Sequence, residues 1–559
     1  MSTVDPEGSA APNAAELEVF RHLFTALAEE MGSALRRAAS SPNIKERRDY
    51  SSAVFSPVGD PVAQGDHLPV HLGAMPMSVQ ATLRALPHLQ QGDVAILNDP
   101  FEGGTHLPDI TMIAPVHVEV IEGEGNAPGA AAGELLPGAL LLGYVAVRAH
   151  HADVGGMTPG SMPIAREIFQ EGLRIPPVLL LRRGARVAEV WRLLLANVRT
   201  PEEREGDLDA QLGSIRVGVR RLRDIARRKG AGPTLAAQRA LLDYADCLLR
   251  RGIERIPDGE WSAQDNLEGD GFVDEPIRIR ARLEVRGDRV RIDFTGSAPQ
   301  TTGGVNAVAA VTASAARYVV RVVVEDLLGD SLPAGGGAMG AMELLLPERS
   351  VVNASPPAPV AGGNVETSQR ITDVLLKAFA GALPDRMPAL SQGTMNNVAI
   401  GGTDSRTGRA FAYYETVGGG MGAGPSGPGL SGVHTHMSNT LNTPVEALEH
   451  AYPFRVLRYA VRRGSGGRGV YRGGDGLERD IQILVPAQVT LLTERRRTGP
   501  SGQGGGEPGA PGANALLRAG HEEERRAESL PSKATFEVQR GDIVSIRTPG
   551  GGGWGPPRD

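Results

Sequence analysis

Cysteine is almost absent: the chain of 559 residues has one, Cys247. This excludes an intramolecular disulfide and any cysteine-based metal cluster. Aromatic residues are scarce, at 4%, and lysine is nearly missing. Only Lys45, Lys229, Lys377 and Lys533 occur, so arginine carries the positive charge and a catalytic lysine has few places to be. No run of about 18 apolar residues appears; "VNAVAAVTASAARYVVRVVV" is interrupted by Arg317 and Arg321. No membrane span is expected. The start "MSTVDPEGSAAPNAAELEVF" lacks the basic and apolar segments of a signal peptide, and the expectation is a soluble cytoplasmic protein. A net charge of −7 is too mild to point to nucleic acid or an anionic membrane. There is no G-x-x-x-x-G-K-[ST] phosphate loop. One G-x-G-x-x-G match, at Gly464, Gly466 and Gly469, runs into "VYRGGDG", which reads as a turn and argues against dinucleotide binding.

Glycine is abundant, 73 residues, about twice its ordinary share of ~7%. Many tight turns and close backbone approaches are expected. With 41% apolar and 22% charged residues, the chain should bury a large core, and its length suits roughly three or four lobes. The pattern predicts a disordered tail over 1–14 and an N-terminal α+β lobe over 15–200. A helical hairpin follows over 201–257, broken at "KGAGPT", then a central α+β lobe over 258–460 and a Gly-rich β lobe over 461–559. "SAVFSPVGDPVAQ" reads as a β-hairpin turning near Gly59-Asp60. "ALLDYADCLLRRG" has helical periodicity, and Cys247 in it is expected to be buried. The Arg-rich "RVGVRRLRDIARRKG" reads as the solvated face of a helix. The fold class is α+β, multi-lobed, with mixed or antiparallel sheets flanked by helices.

The chemistry-bearing residues fall in two short stretches. Seven of the twelve histidines lie between residues 67 and 151. "THLPDITMIAP" places His106 three residues before Asp109, and Pro108 keeps the motif out of a helix. "RAHHADVGGMTPGSMP" holds His150, His151 and Asp153. "DITMIAPVHVEV" and "ALLLGYVAVRA" read as strands joined by a loop, and consecutive strands most simply pair antiparallel. If residue 120 opposes 139, opposed pairs sum to 259 and Asp109 faces His150, with Cα atoms about 4.5–5.5 Å apart. His106 can swing to the same place. Two imidazoles and a carboxylate suit a divalent metal such as Zn, Mn or Fe. A slip of one residue presents His151 instead of His150, and a bulge near residue 148 exchanges the two. The alternative is that these histidines are loop residues with local hydrogen bonds.

Two polar helix starts are weaker candidates. "GGNVETSQR" carries Asn364, Glu366 and Arg370, and "THMSNTLNTPVEALEH" carries His436, Asn439, Asn442 and Glu446. Either a substrate role or ordinary capping and turn chemistry accounts for them. The final "TPGGGG" can cradle an anion or simply form turns.

Taken in order, "SPNIKERRDYSSAVFSPVGDPVAQGDHLPVHLGAM", "NDPFEGGTHLPDITMIAPV", "RAHHADVGGMTPGSMP", "THMSNTLNTPVE" and "TPGGGGWG" resemble the hydantoinase B/oxoprolinase family, over about residues 15 to 555. The family includes the B subunit of ATP-dependent N-methylhydantoinases, the C-terminal half of 5-oxoprolinase and the large subunits of acetone and acetophenone carboxylases. The resemblance implies that His106, Asp109 and His150 bind a divalent metal. It also implies that ATP is bound by an A-type partner subunit, in a hetero-oligomer. The activity implied is ATP-dependent hydrolysis of a cyclic amide of the hydantoin or 5-oxoproline kind. The carboxylation of a ketone and a scaffold with a structural metal are the alternatives. His151 and Asp153 are then candidates for moving protons or orienting a ligand, and Glu366, Arg370, His436, Asn439 and Asn442 for binding substrate. Residues 121–138 are longer than the family pattern and are expected to form a surface loop.

Overall fold

The computed structural model describes residues 12–65, 67–119, 139–333, 340–520 and 527–557. The expected loop at 121–138 and most of the expected N-terminal tail lie outside them. The first helix, α1 (Ala14–Ala38), starts where Asn13 accepts from the amides of Ala15 and Glu16 while Glu16 accepts from the Asn13 amide. This reciprocal cap satisfies otherwise orphaned donors. Phe20, Phe24, Leu27, Met31 and Leu35 form its buried stripe.

Seven strands make the first sheet: β1 (Tyr50–Phe55), β2 (Pro61–Gln64), β3 (Val94–Leu97), β4 (Asp109–Glu119), β5 (Ala139–His150), β6 (Val178–Arg182) and β7 (Ala185–Arg186). Their order is β2-β1-β5-β4-β3-β6-β7. The expected β1–β2 hairpin is present, with Gly59 at φ 86°. Helix α2 (Pro42–Lys45) precedes β1 and α3 (Pro69–Ala85) follows β2. One face of the sheet offers Ala53, Phe55, Leu97, Ile113 and Ala146 to Met75 and Val79 of α3. The alternate residues, among them Val54, Met112, Val145 and Val147, face the main core with α1. Helices α4 (Ala188–Ala196), α5 (Pro201–Lys229) and α6 (Ala231–Ile253) come next. Gln211 of α5 ties the helix to the sheet by donating to the Ile110 carbonyl at 3.0 Å. Arg216, Arg220, Arg227 and Arg228 of α5 are exposed, as the charge pattern predicts.

The second sheet has the order β11-β10-β9-β8. Its strands are β8 (Gly259–Leu267), β9 (Ile277–Arg286), β10 (Arg289–Asp293) and β11 (Met342–Leu345), and β10–β11 is a parallel pair. Helices α7 (Ala309–Leu328) and α8 (Ser368–Ala382) pack against each other, and α8 covers β8 and β9. Two further sheets have the orders β13-β12-β16-β19 and β14-β15-β20-β17-β18. The first contains β12 (Asn397–Asp404), β13 (Arg409–Glu415), β16 (Ala487–Leu492) and β19 (Lys533–Val538). The second contains β14 (Phe454–Arg462), β15 (Gly476–Ile483), β17 (Ala513–Leu517), β18 (Ala527–Leu530) and β20 (Ile543–Arg547), with α9 (Val445–Ala451) leading into it. They share one apolar core in which Val398, Ile400 and Val489 meet Ile481, Val544 and Ile546. One of these sheets therefore joins strands from both sides of residue 460.

The architecture is α+β and multi-lobed, as the residue pattern predicts. One local expectation is corrected, and one open alternative is closed. Cys247 is exposed, because on α6 it shares the solvent face of Asp243 and Arg251, while Leu241, Ala245 and Leu249 point inward. "TPGGGG" has no amides free for an anion. The amides of Gly550, Gly551, Gly552 and Gly553 donate to Ala510, Gly474, Leu390 and Glu507 carbonyls. Glycine is required there by close backbone packing: a Cβ on Gly551 would lie 2.0 Å from the Met421 carbonyl oxygen.

Candidate metal centre

The β4–β5 ladder pairs Asp109 with His150. Pairs from 109↔150 to 116↔143 keep the predicted sum, but the loop end pairs Glu119 with Ala139, one residue out of the predicted step. A bulge between Val116 and His117 absorbs the difference. Opposite it, Gly143 has φ 134° and approaches β1 so closely that a Cβ would lie 2.1 Å from the Phe55 carbonyl oxygen. The bulge falls at the loop end and not near residue 148, so it leaves His150 on the face of Asp109.

His106 reaches the same point through a tight turn in which the Asp109 amide donates to the His106 carbonyl at 3.1 Å. Asn98 fixes that turn, donating to the Leu107 carbonyl at 2.7 Å and accepting from the Ile175 amide at 2.7 Å. Thr105 donates its hydroxyl to Asp109 Oδ2 at 2.5 Å, which leaves Oδ1 for other partners. His106 Nε2 at 3.0 Å, His71 Nε2 at 3.3 Å and His150 Nδ1 at 3.3 Å surround that oxygen. Yet Asp109 Oδ1 makes no hydrogen bond, and neither do both nitrogens of His106 or Nε2 of His150.

His106, Asp109 and His150 each offer one ligand atom, all within 4.8 Å of one another. All three residues are buried. Unpartnered polar atoms are costly at such depth, and an ion would satisfy several at once. Burial by itself raises the Asp109 carboxyl, but His106 and His71 hold it well below the usual carboxylate range. Burial lowers the His150 imidazole, so it favours the neutral form that binds a metal. The donor set therefore fits a divalent ion.

Asp49 and His71 were not singled out by sequence reasoning. Asp49 immediately precedes β1, and its carbonyl accepts from the His150 amide at 3.0 Å. Its Oδ1 lies 3.8 Å from His71 Nε2. His71 is in the first turn of α3, beside Ser51 at 3.3 Å. Neither has a spacing relation to Asp109; β1 and α3 bring them there. Tyr414 is a further neighbour, its ring stacked on His150 at 4.4 Å and 14°.

His151 and Asp153 lie away from the cluster. Strand alternation turns His151 toward α5, where its Nε2 meets Gln211 Oε1 at 2.8 Å. Burial lowers its imidazole to about 4. Asp153 is buried against Arg199, 2.9 Å away, and accepts from the amides of Gly155 and Arg199. Asn439 donates to the His67 carbonyl at 3.2 Å, and Asn442 donates to the Thr416 carbonyl at 2.6 Å. Half-buried His436 meets the Tyr318 hydroxyl at 3.4 Å. This segment packs against Arg47, whose carbonyl accepts from Leu441. Arg370 is buried 3.2 Å from Glu494 and 3.5 Å from Asp265, and Glu366 accepts from Asn397, whose side-chain oxygen accepts from the Tyr414 hydroxyl. A 760 Å³ cavity opens between α1, α3, α6 and α7, lined by His67, Gly73, Arg317 and Tyr318 but not by the three cluster residues.

Over residues 13–557 the chain matches the family model described as hydantoinase B/oxoprolinase. It is 37% identical to 5-oxoprolinase 1 of Arabidopsis thaliana, over 97% of this chain but 42% of that protein. It is 28% identical to a putative D-/L-hydantoinase B subunit of a Pseudomonas species, over 95% of this chain and 88% of that protein. The crystal structure of an ATP-dependent caprolactamase from Pseudomonas jessenii superposes with a TM-score of 0.85 at 27% identity, covering 98% of this chain and 91% of that one. Among the described residues, no helix is long and apolar enough to cross a membrane.

Proposed function

The chain belongs to the hydantoinase B/oxoprolinase family, and from this we propose that it is the B-type subunit of an ATP-dependent cyclic-amide hydrolase. The observation that carries the reading is the buried set of unpartnered donors on His106, Asp109 and His150. We assign these three residues to a divalent ion. Such an ion, when bound, supplies Lewis acidity toward a carbonyl and toward water. Thr105 holds the carboxylate so that Oδ1 faces the imidazoles. Asp49 and His71 add a second carboxylate and a third imidazole beside them. The segment of Asn439 and Asn442 is braced by backbone contacts, so we assign it to supporting the centre through Arg47. We likewise assign His151 and Asp153 to anchoring α5 and the stretch before it, not to proton transfer.

A partner supplies ATP chemistry in this reading. The chain spans about two fifths of the Arabidopsis 5-oxoprolinase but nearly all of the Pseudomonas hydantoinase chain, and its sequence has no phosphate loop. The amide reading is preferred to ketone carboxylation because the similar proteins named above act on lactams and hydantoins by name. The test is reconstitution with an A-type subunit and assay of ATP-dependent ring opening on 5-oxoproline and hydantoin. Turnover is expected only with both subunits, ATP and the metal. His106→Ala is expected to lose bound metal and turnover together. Robust ATPase activity of this chain alone, or full metal retention in His106→Ala, would overturn the reading.

A further inference from the structure

A chain of buried hydrogen bonds starts behind His150 and ends on a carboxyl that touches none of the three cluster residues. The Tyr414 ring lies flat on the His150 imidazole at 4.4 Å. The Tyr414 hydroxyl donates to Asn397 Oδ1 at 2.7 Å. Asn397 Nδ2 donates to the Leu492 carbonyl at 2.8 Å and to Glu366 Oε1 at 2.8 Å. The Leu492 carbonyl can only accept, so the orientation of the Asn397 amide is set, and with it the direction of the Tyr414 bond. Tyr414, Asn397 and Glu366 are all buried.

Glu366 is carried on an unusual piece of backbone. Residues Gly363–Thr367 form a π-helical turn ahead of α8, a rare conformation that recurs at functional sites. Gly363 permits it: a Cβ there would lie 1.9 Å from the Asn306 carbonyl oxygen. The Met395 amide donates to Glu366 Oε1 at 3.1 Å, so the carboxyl is clamped at one oxygen. Burial, and then the charge of Glu494, push this carboxyl up to about 8. It is therefore mostly neutral at pH 7 and its Asn397 contact needs no negative charge.

We propose that Glu366 is a positioning residue: through Asn397 and Tyr414 it fixes the plane of the His150 imidazole, and it does not touch the substrate. The inference rests on the reading of His106, Asp109 and His150 as metal ligands. A flat ring stacked on a tethered ring cannot tilt, so its nitrogen lone pairs stay in one plane. Without Glu366, one buried N–H of Asn397 is unpaired and the amide is held at the Leu492 carbonyl alone, which loosens the acceptor it offers to Tyr414.

The test measures Mn(II) affinity of the full chain by electron paramagnetic resonance, with thermal melting as a check on folding. Glu366→Gln keeps the acceptor oxygen and is expected to bind within about 3-fold of the natural protein. Glu366→Leu and Tyr414→Phe are each expected to weaken binding by about 10-fold, the range for groups that orient a ligand from behind. Because both break one chain, the double variant should be no weaker than about 10-fold, not ~100-fold. Unchanged affinity in Glu366→Leu, or additive losses in the double variant, would overturn the proposal. If Glu366→Leu does not fold, unchanged affinity in Tyr414→Phe overturns it alone. Absence of Mn(II) binding by the natural protein would instead defeat the metal reading, and this proposal with it.

Discussion

Adjacent histidines at 150 and 151 should fail in different ways when removed. His151→Ala deletes the donor to Gln211 Oε1, at 2.8 Å in a fully buried setting. An orphaned buried acceptor costs about 1–3 kcal/mol. The deleted ring also enlarges a void of about 20 Å³ lined by Ile110, Val154 and Leu208, which adds about 1–2 kcal/mol by analogy with other core truncations. A total of about 2–5 kcal/mol corresponds to a melting point lower by roughly 4–20 °C in a unit of 150–250 residues. The ligand set is untouched. His150→Ala loses a stacked pair with Tyr414 worth about 0.5–1.5 kcal/mol, a similar truncation cost of about 1–2 kcal/mol for its buried ring, and one of the proposed ligands. The assay is thermal melting with and without added Mn(II), paired with elemental analysis. A bound ion raises the melting point by linkage. His151→Ala should melt low yet keep the metal-dependent rise and the metal content. His150→Ala should melt closer to the natural protein and lose both. The reverse pattern would show that the register at the open end of the hairpin is wrong by one residue.

Glu171 accepts from the Val360 and Ala361 amides at 2.8 and 3.0 Å, and burial pushes its carboxyl up to about 8 from an ordinary 4.5. Its folded value lies above its unfolded one, so this stabilisation is complete below about pH 4.5 and is lost as pH rises through about 8. Glu171→Gln should therefore gain melting temperature relative to the natural protein between pH 6 and 9; parallel melting curves across that range would refute the assignment. Gly143→Ala places a methyl 2.1 Å from the Phe55 carbonyl oxygen at φ 134°. It should cost at least about 1–3 kcal/mol and reduce metal content by pulling β1 from β5. Gly213→Ala, in the interior of α5 with nothing within 4 Å, should stabilise by about 0.5–1 kcal/mol. Equal melting points for these two glycine variants would contradict the packing argument.

What the sequence could determine about this protein was whatever repeats or pairs at short range. The stripe of Phe20, Phe24, Leu27 and Met31 dictates a helix because those side chains fall on one face. The strands around Asp109 and His150 are neighbours in sequence, so their pairing and the meeting of the two residues follow from antiparallel symmetry. Even so, the register held at the site only because a bulge opposite Gly143 offsets a one-residue difference at the loop end. Tertiary structure alone decided the rest. Asp49 and His71 join the cluster because β1 pairs with β5 and α3 packs over the sheet, and no spacing in the sequence encodes those contacts. His151 turns to Gln211 because α5 covers the opposite face. Tyr414, Asn397 and Glu366 come from three separate segments and form one hydrogen-bonded chain only when β12 and β13 meet the turn Gly363–Thr367. Periodicity specifies which face a residue occupies; packing of distant elements specifies what that face meets.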